Sequence, residues 1–303
     1  MARGPLRTLG KSISDAVNRL ELIRALKYAR SHALDHWYRR KDRQTGLACA
    51  ASLHQAGCRR LAFAVAFNSP WVVDALVACW RRHVSGMELM VVDNSSSAQA
   101  REAHAAICRE RGVRYLELPP NPEWNPSRSH AFALNWIWNN IVLPARLEVA
   151  GFVDHDLLAV HDIALDACTE GFDAYGLRAD SQLRPGRWNL WAGYCFLRPG
   201  AATGGIDFKP EHHAGVDTGG RNWNGLYRRL SADRHRAVKL DSEFVTLEPG
   251  VDPVEIHRLD GAFLHLGGAS YCERYNQAGF RRKVMDAIWA SALPGERRIA
   301  AVP

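Results

Sequence analysis

Two carboxylates stand one residue apart, at Asp154 and Asp156, where a short apolar segment ends. The segment, residues 149–153, has the length and composition of a strand buried on both faces. Side chains i and i+2 of an extended chain point the same way, so both carboxylates can reach one object. Two such charges about 4 Å apart repel by about 4 kcal/mol at an effective dielectric constant of about 20, and a hard cation removes that penalty. The spacing favours a divalent-cation site, and the alternative is a polar turn after a strand.

Polar residues also follow the other strands predicted in the first half of the chain. Apolar and helical patterns alternate there, which predicts an α/β fold with a mainly parallel central sheet and helices on both faces. Ligands of such sheets bind beyond the carboxyl ends of the strands, and those ends carry Asn68, Asp93, Asn94 and the two acids. The predicted strands are 61–67, 88–93, 113–118 and 149–154, and the predicted helices are 71–83, 98–112 and 129–140.

The second half continues with shorter apolar segments. Its aromatic and β-branched composition predicts strands at 172–177, 189–198 and 262–270. A helix is predicted to end near Leu230, and an amphipathic helix at 272–293 is predicted to close the fold.

Composition is that of an ordinary globular chain, with 303 residues, 47% hydrophobic and 23% charged. That length suits one large or two modest domains. Nothing approaches 18 consecutive apolar residues, and no apolar segment follows the first positive charges, so we expect neither a transmembrane helix nor a secretory signal. Seven cysteines without a Cys-x-x-Cys pair favour reduced thiols and a cytoplasmic protein.

The net charge of +7 is concentrated near the N-terminus, because residues 1–60 hold 13 of the 39 Lys and Arg but only 4 of the 32 Asp and Glu. A nucleic-acid binder would carry its basic face on the folded domain, so we expect no nucleic-acid partner. Residues 12–43 form a basic amphipathic pattern. Such a helix either lies on an anionic membrane surface or docks on its own domain or a second copy.

Three segments together resemble the GT-A glycosyltransferases, especially the inverting family 2. They are VVDNSS at 91–96, SRSHAFALN at 127–135 and FVDHD at 152–156. The resemblance is good over about 60–160 and loose over 185–270. It implies a GT-A fold with a catalytic domain at 59–270. It does not cover the two flanking segments, which we predict to be an N-terminal basic helical extension (1–58) and a C-terminal helix and tail (271–303). Within the catalytic domain it implies a nucleotide-sugar-binding half (59–160) and an acceptor-side half (161–270).

The resemblance also implies roles for residues of the first half. Asn68, Asp93 and Asn94 would contact the nucleotide. Asp154 would contact the ribose or the metal, and Asp156 would bind Mn²⁺ or Mg²⁺ that bridges the diphosphate. Arg128 would add positive charge on the phosphate side, or is a surface residue. The chain departs from the family pattern at His155 and Leu157, which leaves the spaced acids intact, and we interpret His155 as structural.

The acceptor side is implied less directly. His265 resembles the late-chain histidine that supplies a further metal ligand, and a satisfied core histidine is the alternative. Trp188 and Trp191 resemble acceptor-binding tryptophans, or belong to the core. Asp217 would be the base that deprotonates the acceptor hydroxyl, or a helix N-cap. Weaker competitors for the base are Asp207, Asp241 and Glu243.

The expected function is a metal-dependent transfer of a sugar from a nucleotide-sugar donor to a hydroxyl of a glycan or lipid-linked acceptor, with inversion favoured by the resemblance. The sequence lacks Gly-x-Gly-x-x-Gly, the phosphate-binding turn of dinucleotide enzymes. Two alternatives stay open at this point: a metal-dependent nucleotidyltransferase that uses the same acids, and a non-catalytic nucleotide- or glycan-binding scaffold. The sequence leaves the oligomeric state open.

Overall fold

The computed structural model describes residues 21–245, 254–267, 269 and 280–301, and every element below lies in those ranges. The helices are α1 (Glu21–Tyr38), α2 (Arg43–Gln55), α3 (Pro70–His83), α4 (Ala98–Glu110), α5 (Pro126–Ile137), α6 (Leu143–Ala145), α7 (Leu165–Thr169), α8 (Asn222–Gly225) and α9 (Phe280–Ala292). The strands are β1 (Arg60–Ala66), β2 (Val84–Ser85), β3 (Glu88–Asp93), β4 (Arg114–Glu117), β5 (Val149–Asp154), β6 (Leu157–Ala159), β7 (Ile163–Ala164), β8 (Ala174–Asp180), β9 (Trp188–Leu197), β10 (His235–Ala237), β11 (Leu240–Val245), β12 (Val254–Leu259) and β13 (Phe263–His265).

A seven-stranded sheet in the order β10-β8-β9-β5-β1-β3-β4 forms the centre of the fold. Four of its six pairings are parallel, and only β9 runs against both of its neighbours. Ala66 pairs with Asp93 and Val65 pairs with Asp154, so β1, β3 and β5 end level with one another. The mainly parallel α/β sheet predicted from the sequence is confirmed, and its polar strand ends meet at one edge.

Helices cover both faces of this sheet, as predicted. Along β1, alternate side chains enter different cores because successive residues of a strand point to opposite faces. Ala62, Ala64 and Ala66 pack with the helix α3, while Leu61, Phe63 and Val65 pack with α5. All six side chains are buried, which is why the segment is apolar without alternation.

A smaller antiparallel sheet, β11-β12-β13-β6, stands beside the carboxyl edge of β5. The pairing of β13 with the edge strand β6 places His265 opposite Leu157. Because β6 begins three residues after Asp154, this register carries His265 to the two acids. The smaller sheet therefore completes a site that the large sheet begins.

Helix α1 docks on its own domain, which was one of the two sequence-based alternatives for this segment. Tyr38 is buried and its hydroxyl donates to the Pro119 carbonyl at 3.0 Å. Asp35 is also buried, with its carboxylate 2.6 Å from Lys209 Nζ. Residues 12–20 of the predicted helix lie outside the described residues. Within the described ranges, every helix is too short or too polar to cross a membrane.

Two predicted helices differ from the observed ones. The helix expected to end near Leu230 is only the short α8 followed by a 3₁₀ turn at Tyr227–Arg229. Gly225 explains the interruption, because a Cβ there would lie 2.1 Å from the Gly205 carbonyl oxygen. The closing helix is described from Phe280 to Ala292, and residues 272–279 of the prediction lie outside the described residues.

Candidate functional site

Asp154, Asp156 and His265 form a compact group of possible metal ligands. One ligand atom from each of the three lies within 4.8 Å of the others. His265 Nε2 is 3.4 Å from Asp156 Oδ1. Two carboxylate oxygens and one imidazole nitrogen suit Mn²⁺, and the carboxylates also suit Mg²⁺. The donor set fits the cation that the sequence predicted.

The backbone after β13 fixes the orientation of Asp156. Its Oδ2 accepts a hydrogen bond from the Ala269 amide at 3.1 Å, and its carbonyl accepts one from the Leu266 amide at 3.1 Å. Asp156 is only 4% exposed, so its carboxylate is held and cannot rotate freely into solvent. Oδ1 remains directed toward His265. Such outer contacts orient a ligand before a cation arrives.

The electrostatics of this group favour a cation. Burial and the neighbouring charge of Asp156 raise the pKa of Asp154 to about 6. Burial also acts to raise the pKa of Asp156, but the hydrogen bond and charge of His265 outweigh it, so that pKa is lowered. Burial acts to lower the pKa of His265, and Asp156 more than compensates, so that pKa is raised. A divalent cation would relieve the repulsion that keeps Asp154 difficult to ionise.

A cavity of about 1110 Å³ lies at the carboxyl edge of the sheet, and His265 is not among its described lining residues. Asp154 and Asp156 belong to its lining, together with groups from α4, β4, the start of α5 and β9. A volume of this size is at the upper end of the range for small-molecule sites. The polar and aromatic lining includes Asn94, Ser95, Arg101, Tyr115, Glu117, Asn121, Trp124, His130, Trp191 and Asp217.

Asn94 lies in the cavity wall, as expected for a residue that contacts a nucleotide. Its amide Nδ2 donates to Ser129 Oγ at 3.1 Å, and its Oδ1 accepts from Asn121 Nδ2 at 3.1 Å. These bonds join the end of β3 to α5. They fix the amide of Asn94 at the surface where a ligand would lie.

Asp93, in contrast, does not reach the cavity surface in the described structure. It is fully buried, with Oδ2 2.9 Å from the Tyr115 hydroxyl and 2.8 Å from His104 Nδ1. Ser95 donates its backbone amide to Oδ1 at 2.8 Å. The predicted direct contact is therefore corrected: Asp93 positions Tyr115, which does line the cavity.

Asn68 also acts through its neighbours. Its backbone adopts φ 49°, a left-handed conformation that Asn tolerates better than most residues. Its Oδ1 accepts from the amides of Ser96 and Ser97 at 3.1 Å each, and its Nδ2 donates to Ser96 Oγ at 2.9 Å. Among the described lining residues, Ser96 is present and Asn68 is not. Asn68 therefore shapes the loop after β3.

Arg128 is the third residue whose predicted direct role changes. Its Nε donates to Glu123 Oε2 at 3.1 Å, and its guanidinium lies 5.9 Å from the Trp124 ring centroid. It is absent from the described cavity lining. The guanidinium is engaged by the Glu123 carboxylate instead of facing the cavity. The residue instead holds the loop before α5.

Asp217 keeps the role of candidate base and loses that of helix cap. The N-cap of α8 is Arg221, four residues later, because a turn closed by the Gly220 amide and the Asp217 carbonyl precedes the helix. Asp217 is exposed and lines the cavity. Asp154 lines the same cavity, so the two carboxylates share one wall.

Asp207 and Asp241, two of the weaker candidates for the base, form ion pairs with lysines. Asp207 lies 3.2 Å from Lys209 Nζ and 3.4 Å from Arg221 Nη1. Burial acts to raise the pKa of Asp207, but Lys209 outweighs it and that pKa is lowered. Asp241 pairs with Lys239 at 2.7 Å on β11. The side chain of Glu243 lies outside the described residues.

The two tryptophans of β9 lie in different environments. Trp191 lines the cavity, and its ring centroid is 4.7 Å from that of His265 in an edge-on arrangement. Trp188 is 6% exposed and packs against Tyr227 and His235, at 4.8 and 4.7 Å between ring centroids. Trp188 is therefore a core residue, and its predicted acceptor contact is corrected.

Sequence reasoning assigned no role to His130 and did not single out Tyr115 or Trp124, which also line the cavity. His130 Nε2 lies 4.0 Å from Asp154 Oδ1. Burial lowers the pKa of His130 to about 4, so the imidazole is neutral near pH 7. His130 belongs to a segment that the resemblance already included. Its neighbour His155 also lines the cavity, with Nδ1 3.2 Å from the Val65 carbonyl oxygen, and the structural role assigned to it stays a prediction.

No protein-family profile matches the chain, and no curated protein matches it. Among solved structures, it aligns with the galactosyltransferase LgtC in complex with donor and acceptor sugar analogues, at 16% identity and TM-score 0.34, over 46% of this chain and 57% of that one. It also aligns with the mannosyltransferase PcManGT from Pyrobaculum calidifontis in complex with GDP-Man and Mn²⁺, at 11% identity and TM-score 0.38, over 61% of each chain.

A third alignment is with glucosyl-3-phosphoglycerate synthase from Mycobacterium tuberculosis in complex with Mn²⁺, UDP and glucosyl-3-phosphoglycerate. It has 16% identity and TM-score 0.38, over 62% of this chain and 72% of that one. The chain thus spans less than two thirds of the length of the first two structures. Two of the three are named as glycosyltransferases, the class that the sequence resembles. All three TM-scores are below 0.5, so the function is inferred from the site itself.

Proposed function

We propose that this protein is a metal-dependent glycosyltransferase that moves a sugar from a nucleotide-diphosphate donor to an acceptor hydroxyl. The observation that carries the proposal is the group of Asp154, Asp156 and His265, whose two carboxylates line a cavity that also contains an exposed carboxylate, Asp217. Such a transfer requires a cation site, a general base and an aromatic contact surface in the same cavity.

Asp154, Asp156 and His265 would hold Mn²⁺ or Mg²⁺, and the imidazole ligand favours Mn²⁺. A bound cation neutralises the diphosphate and stabilises the charge that develops on the leaving group. Asp217 accepts the proton of the acceptor hydroxyl as that oxygen attacks the sugar carbon. His130, neutral near pH 7, has a ring N–H to donate to an oxygen of the ligand beside Asp154. A base that activates the acceptor hydroxyl is consistent with a single displacement at the sugar carbon, which inverts the configuration of that carbon.

The test is turnover of nucleotide-sugars. UDP- and GDP-linked sugars are the first donors to try, because the aligned solved structures contain UDP and GDP-Man. The protein should release nucleoside diphosphate from one of them, only with Mn²⁺ or Mg²⁺ present. Failure of every nucleotide-sugar to bind or turn over in either metal would contradict the proposal.

The two alternatives give different products. A nucleotidyltransferase would release pyrophosphate from a nucleoside triphosphate, so incubation with each triphosphate and a pyrophosphate assay separates it. A scaffold would bind nucleotide without turnover and would keep its function in Asp217→Asn. The exposed carboxylate in the cavity favours the transferase, because a scaffold has no use for a base.

We also propose that α1 contacts an anionic membrane surface. Leu26 and Trp37 lie on one face of the helix and are 61% and 48% exposed. Lys41 Nζ lies 4.7 Å from the Trp37 ring centroid, and Arg40 is exposed nearby. Exposed apolar groups flanked by basic ones match an anionic interface. Sedimentation should show binding to phosphatidylcholine vesicles only when phosphatidylglycerol is included. Leu26→Asp should abolish this binding, and Leu183→Asp, at a site 62% exposed in the native chain, should leave it intact.

A further inference from the structure

Trp124 is the most exposed large hydrophobic side chain in the described part of the chain, at 77% exposure. It also belongs to the lining of the cavity that holds the metal-ligand group. An exposed indole on an open surface has no special meaning, but one in the wall of a ligand cavity offers a large flat contact area. Trp124 is therefore placed to contact a ligand in the cavity.

Hydrogen bonds and ion pairs of Glu123 order the loop around Trp124. Glu123 is 4% exposed, and its carboxylate accepts from the Asn125 amide at 3.0 Å and from Arg128 Nε at 3.1 Å. Arg30 of α1 lies 3.4 Å from the same carboxylate. The Arg128 guanidinium covers one face of the indole, 5.9 Å from its centroid. Since the side chain is largely exposed, the opposite face is left open.

The same loop is connected to the acceptor side of the cavity. Ser127 accepts a hydrogen bond at its carbonyl from Thr218 Oγ1, at 3.5 Å, and Thr218 follows the candidate base Asp217. Ser127, Thr218 and Asp217 all line the cavity. Trp124 and the candidate base thus line one cavity, and a hydrogen bond between their two segments fixes their relative positions.

We infer that Trp124 is a stacking platform for a sugar ring of the acceptor, so that the acceptor is a saccharide. The inference rests on the proposed function. A pyranose ring has an apolar face of C–H groups that packs on an indole, while its edge hydroxyls need polar partners. The hydroxyl of Ser127 provides such a partner in the adjacent lining. A nucleobase also stacks on indole, and the experiment separates the two.

The experiment measures binding by calorimetry for the full-length protein and Trp124→Ala, with Mn²⁺ and UDP or GDP present. The probes are the disaccharides lactose, maltose, cellobiose and chitobiose. At least one should bind the unsubstituted protein, and Trp124→Ala should weaken it about tenfold. Nucleotide affinity should stay within about twofold, which is within the ±0.5 kcal/mol of an ordinary surface substitution. Trp124→Phe should restore most of the saccharide affinity, because an aromatic face remains.

Phe244→Ala is the matched control, since Phe244 is an exposed aromatic residue (69%) on β11 outside the described cavity lining. It should leave both affinities unchanged. Equal saccharide affinities in Trp124→Ala and the unsubstituted protein would overturn the inference, as would the absence of any saccharide binding. Loss of nucleotide affinity in Trp124→Ala would assign the platform to the base instead. Failure of nucleotide to bind the unsubstituted protein with Mn²⁺ would instead contradict the proposed function.

Discussion

Asp156 and His265 meet at 3.4 Å although Asp156 lies in the turn between β5 and β6, and His265 ends β13 far along the sequence. The antiparallel pairing of β13 with β6 brings them together, because it sets His265 opposite Leu157, the residue after Asp156. The metal-ligand group is therefore a junction between the large sheet, which ends at Asp154, and the small one. Its geometry depends on the register of that pairing.

Asp156→Asn should remove a negatively charged ligand while keeping an oxygen that can accept from the Ala269 amide. We expect Mn²⁺ affinity and donor turnover to fall about a hundredfold or more, with little change in the midpoint of thermal unfolding. Calorimetric titration of Mn²⁺ and a nucleoside diphosphate release assay measure the two effects. Asp180→Asn, on an exposed strand end, is the control and should change neither. Unchanged turnover in Asp156→Asn would refute the assigned metal group.

Asp217→Asn should lower the rate of sugar transfer without weakening the binding of the donor. Asn cannot accept the acceptor proton, so kcat should fall about 10²- to 10⁴-fold. Donor and Mn²⁺ affinities should be retained, because Asp217 is not in the metal-ligand group. Steady-state kinetics and donor titration check this. A variant with normal kcat would show that another group acts as the base.

Gly193→Ala tests the place of Trp191. A Cβ at residue 193 would lie 2.2 Å from the Trp191 ring, so the indole must move from its position beside His265. We expect turnover to fall about tenfold because a displaced wall misplaces the reacting groups. Gly200→Ala is the control, since its Cβ would meet nothing within 4 Å. Equal turnover in the two variants would contradict a role for Trp191 in the site.

Asp93 should make stability depend on pH. Burial acts to raise its pKa, but His104 and the Ser95 hydrogen bonds outweigh it, so the folded pKa is below the usual value. The stabilisation is therefore complete above the unfolded pKa of about 4 and is lost as the pH falls through the folded value. Asp93→Asn should lower the free energy of unfolding by about 1–3 kcal/mol at pH 7, with a smaller difference below about pH 4. Urea unfolding at several pH values measures it, and a difference that grows on acidification would contradict the assignment.

Lys209 should be essential for the docking of α1. Its Nζ lies 2.6 Å from Asp35 and 3.2 Å from Asp207, and both Lys209 and Asp35 are about 1% exposed. Lys209→Met would remove the buried cation beside Asp35 and leave Arg39 as the remaining charged partner of that carboxylate, so it should cost about 1–3 kcal/mol of unfolding free energy. The double variant with Asp35→Asn should recover part of that loss. Denaturant unfolding measures both, and no recovery would indicate that packing, not charge, explains the effect.

The strands of the large sheet were predictable because both of their faces are buried. A segment such as residues 149–154 is apolar throughout, and its observed bounds are the predicted ones. Residues 61–67 and 88–93 are similarly clear. The helix expected before Leu230 failed because periodicity carries no information on the close approach of Gly225 to the Gly205 backbone.

For the candidate site too, local sequence predicted the positions of some residues and not of others. Asp154, Asp156 and Asn94 were predictable, because the end of a parallel strand is fixed by local sequence. Asp93, Arg128 and Trp188 were assigned direct contacts that the structure does not form. Each side chain instead turns to partners distant in sequence, namely Tyr115 for Asp93 and Tyr227 for Trp188, or to an ordered loop for Arg128.

The sequence by itself determined the sheet, the edge at which ligands bind and the pair of acids, because all three follow from local burial patterns and from the alternation of side chains along a strand. Tertiary structure decided between the alternatives left open for two residues: His265 joins the acids instead of being only a core histidine, and Asp217 faces the cavity instead of capping a helix. It alone placed Trp124, exposed, in the cavity wall. These outcomes depend on strand register, on turns and on contacts between distant segments, none of which a local pattern encodes.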